Sequence, residues 1–393
     1  MKRMILTATA VLCFFSAFSQ TDDSYGFVTI KANPVTSVKN QYRSGTCWCF
    51  STLSFLESEL LRTGKGEFDF SEAFVVSKTM MDRADKAVRT HGDVSFTCGG
   101  SAYDVIYCLK NYGLIPQDAM PAMGSLKGDT LPENFDMDNA AESLVKQVAK
   151  SDAKKLSPLW KQTVQSVYDT YLGKCPEKFS YKGKEYTPKS FAAWLGINPD
   201  DYVSITSYTH HPFYEKFILE IPDNWRWDAS YNVPMNEMIA VIDNAIKNGF
   251  TVAWGSDVSE DGFTRNGLAV YPDVKKYVEA KDSDMARFVG LSSSDKKEEL
   301  TKEPLPEIVP TQEMRQSAYD NWETTDDHGM VIFGLAKDKN GKEYYMVKNS
   351  WGTSSKYKGV WYASKAFVAY KTMDILVHKD ALPSDIKKKL GIK

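Results

Sequence analysis

Cysteine is scarce in this chain. Six residues in 393 are too few for a disulfide scaffold. Surplus positive charge is missing as well: lysine and arginine total 48 against 51 aspartates and glutamates, a net charge of −3. Nucleic acid is therefore not expected as a partner, because that binding runs on excess cation. Beyond the first residues no apolar run approaches the ~20 that cross a bilayer, so no membrane span is expected in the mature chain. There is no Cys-x-x-Cys or His-x-x-x-His spacing, and no glycine-rich phosphate loop between a strand and a helix. His210-His211, near Asp200-Asp201, lacks ligand spacing and reads as a solvated or packing pair. The expected cofactor is none, and the expected metal is none. With 42% hydrophobic and 25% charged residues, wholesale disorder is excluded too.

What is present begins at the first residue. Lys2 and Arg3 make a short positive start, residues 4–18 are almost wholly apolar or small, and Ala17-Phe18-Ser19 supplies small residues for cleavage. This is the pattern of a secretory signal peptide over 1–19, with Gln20 as the mature terminus and export to the periplasm or beyond as the expected location. Fifteen residues fall short of the ~20 of an uncleaved anchor. The mature chain would carry a net charge of −5.

Residues 40–62 read NQYRSGTCWCFSTLSFLESELLR. From Cys49, Leu53, Leu56 and Leu60 recur at helical spacing, with Phe50 and Leu61 widening the stripe and Glu57, Glu59 and Arg62 on other faces. Gly64 is the expected stop. The helix therefore starts close to Cys47, after a Ser44-Gly45 turn. A thiol at a helix N-terminus meets the positive end of the dipole, which favours the nucleophilic thiolate. A buried cysteine at the head of a core helix would look the same, so the remaining residues must decide.

His328 opens an alternating, β-rich run, residues 337–341 form a turn around Asn340-Gly341, and residues 342–348 read as the return strand. A hairpin centred there brings His328 and Asn349 to one open end.

Gln41, Cys47 and Trp48, with Asn349-Ser350-Trp351-Gly352 following His328, resemble the papain-like cysteine peptidases. The resemblance implies catalytic roles for Cys47, His328 and Asn349, an oxyanion donor in Gln41, and supporting roles for Trp48 and Trp351. Cys98-Gly99-Gly100 is similar to the family's glycine pair along the substrate backbone, and Phe70-Ser71-Glu72 to the Leu-Ser-Glu that opens its next segment. Ser44 stands where many members have a disulfide-bonded cysteine, and Thr46 replaces the usual serine or alanine.

Cys47 and His328 are 281 residues apart, whereas the family spacing is ~130–150. About 130 extra residues therefore separate the two halves of the site. Much of the excess lies in 124–224, with helical runs at 140–150 and 159–172, a YKGKEY turn and the SYTHHPFYEKF segment. Such an insertion resembles the bleomycin hydrolase and aminopeptidase C branch. The fold expected is α+β, papain-like and two-lobed, with a large, partly helical insertion between Cys and His. Its divisions are a helical lobe over 20–123, the insertion over 124–224 and a β-rich lobe over 225–393. Residues 281–310 are expected as a charged surface excursion.

Peptides are the expected substrates, cleaved through an acyl-thioester. The branch's hexameric cages make a homo-oligomer compatible with the resemblance. Asp327 replaces the branch's usual threonine; it is expected beside the substrate, where its charge would favour the imidazolium. No extended arm follows LPSDIKKKLGIK, so the branch's restriction to N-terminal residues is expected to be relaxed, opening endopeptidase cleavage. Only residues 20–46 precede Cys47, too few for a long inhibitory propeptide, so activity without maturation is expected. A thiol acyltransferase of the transglutaminase type is the alternative, although its orienter is normally aspartate. A non-catalytic peptide-binding protein on the same scaffold is another. Apart from Cys47, the mature cysteines Cys49, Cys98, Cys108 and Cys175 could form two bridges in three connectivities, or none.

Overall fold

The computed structural model describes residues 24–121, 131–280 and 290–393. The signal segment 1–19, the start of the insertion at 124 and the first part of the 281–310 excursion lie outside them.

Ten strands of the described residues form one sheet. In chain order the strands begin with β1 (Val28–Ala32); β2 (Phe179–Tyr181) and β3 (Lys184–Tyr186) form a separate ribbon on the YKGKEY turn. Next come β4 (Tyr202–Thr206), β5 (Lys216–Ile218), β6 (Ala229–Asn232), β7 (Val252–Ser256) and β8 (Leu268–Ala269). The last four are β9 (His328–Lys337), β10 (Glu343–Lys348), β11 (Val360–Ser364) and β12 (Thr372–His378). Their order across the sheet is β5-β6-β4-β12-β7-β9-β10-β11-β8, with β1 against the far half of β9.

Both faces of the central strands are covered, and the alternation of side chains separates two cores. Val331, Ala253 and Leu376 face a helical layer. Their strand neighbours Met330, Ile332, Trp254 and Ile375 face the other way. The helical layer is led by α1 (Cys47–Arg62), which packs on β9 and against α2 (Glu72–Arg89) and α3 (Ala102–Asn111).

The position of α1 overrides the expected amphipathic stripe. Nearly all of it is buried, Glu57 and Glu59 included, because sheet and helices enclose it on several sides. Buried carboxylates need partners. Glu57 accepts from Thr36 Oγ1 (2.6 Å) and the Phe70 amide (3.0 Å), and Glu59 takes Arg62 as a forked pair. The helix ends before Gly64, whose φ of +71° suits glycine.

The insertion divides unevenly. Its α4 (Phe135–Ala149), α5 (Leu159–Leu172) and α6 (Pro188–Leu195) place Met137, Val145, Tyr168 and Phe191 in the core of the helical layer. Its last part instead supplies β4 and β5 to the sheet, so the expected boundary at 224 runs through the sheet. Likewise β1, from the head of the chain, belongs to the β-rich side. Within the 281–310 segment, Ser293–Thr301 forms a helix capped by Ser292. Cys47, Cys49, Cys98, Cys108 and Cys175 are all free thiols.

Candidate active site

Cys47 is the first residue of α1, as the Ser44-Gly45 turn and the following periodicity predict. Gly45 has a φ of +66°, and a Cβ there would lie 2.6 Å from Cys98 Sγ. No carboxylate occupies the first turn and no side chain caps it, so the positive helix end is uncompensated. The half-buried thiol receives the Gly329 and Trp48 backbone N–H groups. Burial nevertheless dominates and, with the Asp326 and Asp223 charges, pushes the thiol up to about 12. Burial and these charges thus work against the thiolate that the helix end favours.

His328 starts β9 and is buried. Its Nε2 lies 2.8 Å from Asn349 Oδ1, which also accepts the Ser350 backbone N–H at 2.7 Å. An oxygen receiving that N–H is an acceptor, so Nε2 carries the imidazole proton and Nδ1 keeps the free lone pair. Burial pulls the imidazole down to about 4, against the Asn349 bond, which acts the other way. Asp327 does not supply the expected counter-charge. Its carboxylate engages Thr325 Oγ1 (2.7 Å) and the Val258 amide (3.2 Å), although the residue still lines the cleft. The Trp351 ring covers His328, with centroids 4.8 Å apart and planes tilted by 34°.

The chain of contacts continues to Gln41. The Ser350 hydroxyl donates to Gln41 Oε1 at 2.5 Å, and the Gln41 backbone N–H donates to the Ser350 carbonyl at 2.8 Å. Oε1 is thereby occupied, which leaves the Nε2 protons as the side chain's donors. Gln41, Ser350, Asn349 and His328 form one connected unit. Cys47 and His328 line a common cavity of about 100 Å³.

Gly99 and Gly100 line that cavity too, and the structure adds a reason for both. A Cβ on Gly100 would sit 2.8 Å from the Trp48 ring, and one on Gly99 would sit 2.2 Å from Asp223 Oδ2. Trp48 donates its Nε1 proton to the Cys98 carbonyl (3.1 Å), joining the helix start to this segment. Sequence reasoning named Ser350 without a role and overlooked Asp223, Asp326 and Asp374, which also line the cavity. Asp374 did leave a signal: it is the lone carboxylate in the otherwise apolar run of β12.

His210 and His211 meet in a way their spacing hid. Their Nε2 atoms lie 3.1 and 3.2 Å from the two oxygens of Glu220, a partly exposed cluster that imidazole–carboxylate hydrogen bonds already explain.

Against known families, residues 15–287 and 310–392 match the model described as "Peptidase C1-like family". Aminopeptidase E of Lactobacillus helveticus is 26% identical, over 90% of this chain and 83% of its own length. Aminopeptidase G of Lactobacillus delbrueckii subsp. lactis is 24% identical over the same shares. Among solved structures, PepW from Lactobacillus rhamnosis superimposes with a TM-score of 0.67 at 19% identity, covering 93% of this chain and 84% of that one. The architecture is the expected papain-like α+β fold.

Proposed function

The chain belongs to the Peptidase C1-like family and is a papain-like cysteine peptidase; we propose that it cleaves peptide bonds through an acyl-thioester on Cys47. The connected unit Gln41–Ser350–Asn349–His328, opening on the cavity that holds Cys47, carries this reading. In the first step the thiol proton passes to His328 Nδ1 as sulfur bonds to the carbonyl carbon. The carbonyl oxygen becomes an anion, received by the Cys47 backbone N–H and Gln41 Nε2. The imidazolium then protonates the leaving amine as the C–N bond breaks. Water, deprotonated at Nδ1, attacks the thioester and returns the thiol. Asn349 fixes the tautomer throughout, and Trp351 covers the imidazole.

The relatives are named aminopeptidases, and removal of N-terminal residues is the activity we propose first. Cleavage of blocked peptides is the extension. Incubation with an electrophilic peptide followed by mass mapping should place the adduct on Cys47, and Cys47→Ala should lose both adduct and turnover. An unlabelled Cys47 would favour a binding protein; amine incorporation without hydrolysis would favour an acyltransferase. Acetylated peptides left intact while their free-amine twins are cut would refute the relaxed restriction. Export is proposed from residues 1–19: a mature protein starting at Gln20 outside the cytoplasm supports it, and an intact Met1 in the cytoplasm refutes it. Homo-oligomerisation, suggested by the branch, is decided by light scattering.

A further inference from the structure

The cavity beside Cys47 carries carboxyl groups that the hydrolysis does not use. Asp223, Asp326 and Asp374 line it, together with residues 98–100 and Gly255. They come from separate places in the chain: the loop before β6, the residue two before His328, and β12. Asp223 presses on Gly99, and Asp374 Oδ1 would lie 2.6 Å from a Cβ on Gly255. Any side chain at 99 or 255 would displace these carboxylates. Asp326 Oδ2 is buried and has no hydrogen-bond partner. Burial, with the charges of Asp223, Asp374 and Asp327, holds its carboxyl well above the usual range. Asp374 is held up by burial to about 6, with the Ser204 hydroxyl at 3.2 Å acting against the rise.

The nearby basic side chains leave Asp326 and Asp374 unpaired. Arg83 donates to the Ser95 and Gly99 carbonyls and reaches Asp223 at 3.3 Å. Arg226 pairs with Asp104 and Asp228, and Lys371 with Asp257 and Glu260. Among the described residues neither Asp326 nor Asp374 forms an ion pair. Crowded carboxyls repel one another in a cleft of low dielectric, and an orphaned buried oxygen lacks a donor. An ammonium or guanidinium group from a ligand remedies both, and no apolar group does.

We propose that Asp326, Asp374 and Asp223 form a cation-accepting subsite beside Cys47, which takes a positively charged group of the peptide to be cleaved. That group is either the free N-terminal amine or a lysine or arginine side chain next to the scissile bond. This deepens the peptidase reading and rests on it, so the test must let the two fail separately.

Calorimetric titration of the full chain carrying Cys47→Ala with uncut peptides does so. Matched twins differ in one charge: free against acetylated N-terminus, and lysine against norleucine beside the scissile bond. At least one cation should tighten binding about tenfold or more, as a desolvated charge-assisted contact does. Adding Asp326→Asn and Asp374→Asn should erase that difference. The twin pair that responds identifies the source of the charge. Equal binding of charged and neutral twins, a comparison that needs no aspartate variant, overturns the subsite. So does a charge preference that survives both substitutions. Intact charge preference with no hydrolysis of any peptide by the unmodified chain supports the subsite and counts against the peptidase reading.

Discussion

Ser350 shows how much of the site is settled by one hydroxyl and one backbone amide. The hydroxyl fixes the orientation of Gln41, and the amide makes Asn349 Oδ1 an acceptor and so sets the His328 tautomer. Around this unit burial acts in one direction: it raises the thiol to about 12 and lowers the imidazole to about 4. Both shifts favour the uncharged pair, thiol and neutral imidazole. Thiolate–imidazolium is a tautomer of it with the same single proton, so the reactive population is independent of pH between the two limits. Iodoacetamide, small and uncharged, reads that population. For the native chain we predict alkylation of Cys47 that rises through about pH 4, as the imidazole loses its second proton, and then stays level. Below that point both groups are protonated and no base remains. His328→Ala should abolish the plateau and leave a single rise at the alkaline end. One wave near the ordinary thiol value of ~8.5 in the native chain would show that Cys47 and His328 are not paired.

Register decides which face the asparagine shares at the scale of strands and helices. The β9–β10 ladder pairs Met346 with Gly334, then shifts so that Val347 meets Ile332 and Lys348 meets Val331. Continued by one residue, this register sets Asn349 opposite Met330, with His328 as its diagonal neighbour on the same face. Without the irregularity Asn349 would oppose Val331 and turn toward α1, away from His328. The hairpin and its turn were legible in the sequence from alternation and Asn340-Gly341. The shift left one sign that went unread: the extra residue is Phe333 of β9, unpaired between Ile332 and Gly334, and a glycine inside a strand commonly marks a bulge. Similarly, the start of α1 was legible from the Cys47–Trp48 region, whereas the burial of Glu57 and Glu59 depends on layers far along the chain. The glycines of 98–100 were noticed for a different reason from the one the structure adds. Gly100 faces the Trp48 ring at 2.8 and 2.9 Å and Asp104 Oδ2 at 2.6 Å, counted from the Cβ it lacks. Gly100→Ala should therefore lower stability by about 1–3 kcal/mol, the usual cost of overpacking. It should also lower kcat/KM, because Trp48 follows Cys47 in the helix. Urea titration and peptide kinetics measure the two; an unchanged midpoint would mean that Trp48 yields freely.

The whole molecule is more continuous than its division into lobes and insertion suggests. The aspartates of the cleft are drawn from residues 223, 326 and 374 and so depend on the complete sheet, which is why spacing alone could not find them. The insertion follows the same logic. Phe191 of α6 is fully buried, 6.5 Å edge-on from Phe70, which precedes α2, and 5.3 Å from Phe179. Tyr168, Val164 and Met137 lie in the core that also holds Leu53 and Phe55 of α1. A module with its own core would melt by itself; helices that share a core with the nucleophile's helix should not. Phe191→Ala removes a ring from that shared core, at a cost of about 3–5 kcal/mol. In scanning calorimetry we predict one heat-absorption peak for the native chain and one, at lower temperature, for the variant. Loss of Cys47 alkylation at the iodoacetamide plateau should follow the same displaced midpoint, since α1 loses its packing as the insertion does. If the variant instead gives two peaks, with the later one unmoved and still coinciding with the loss of alkylation, the insertion is an independent domain and the shared core does not couple it to the site.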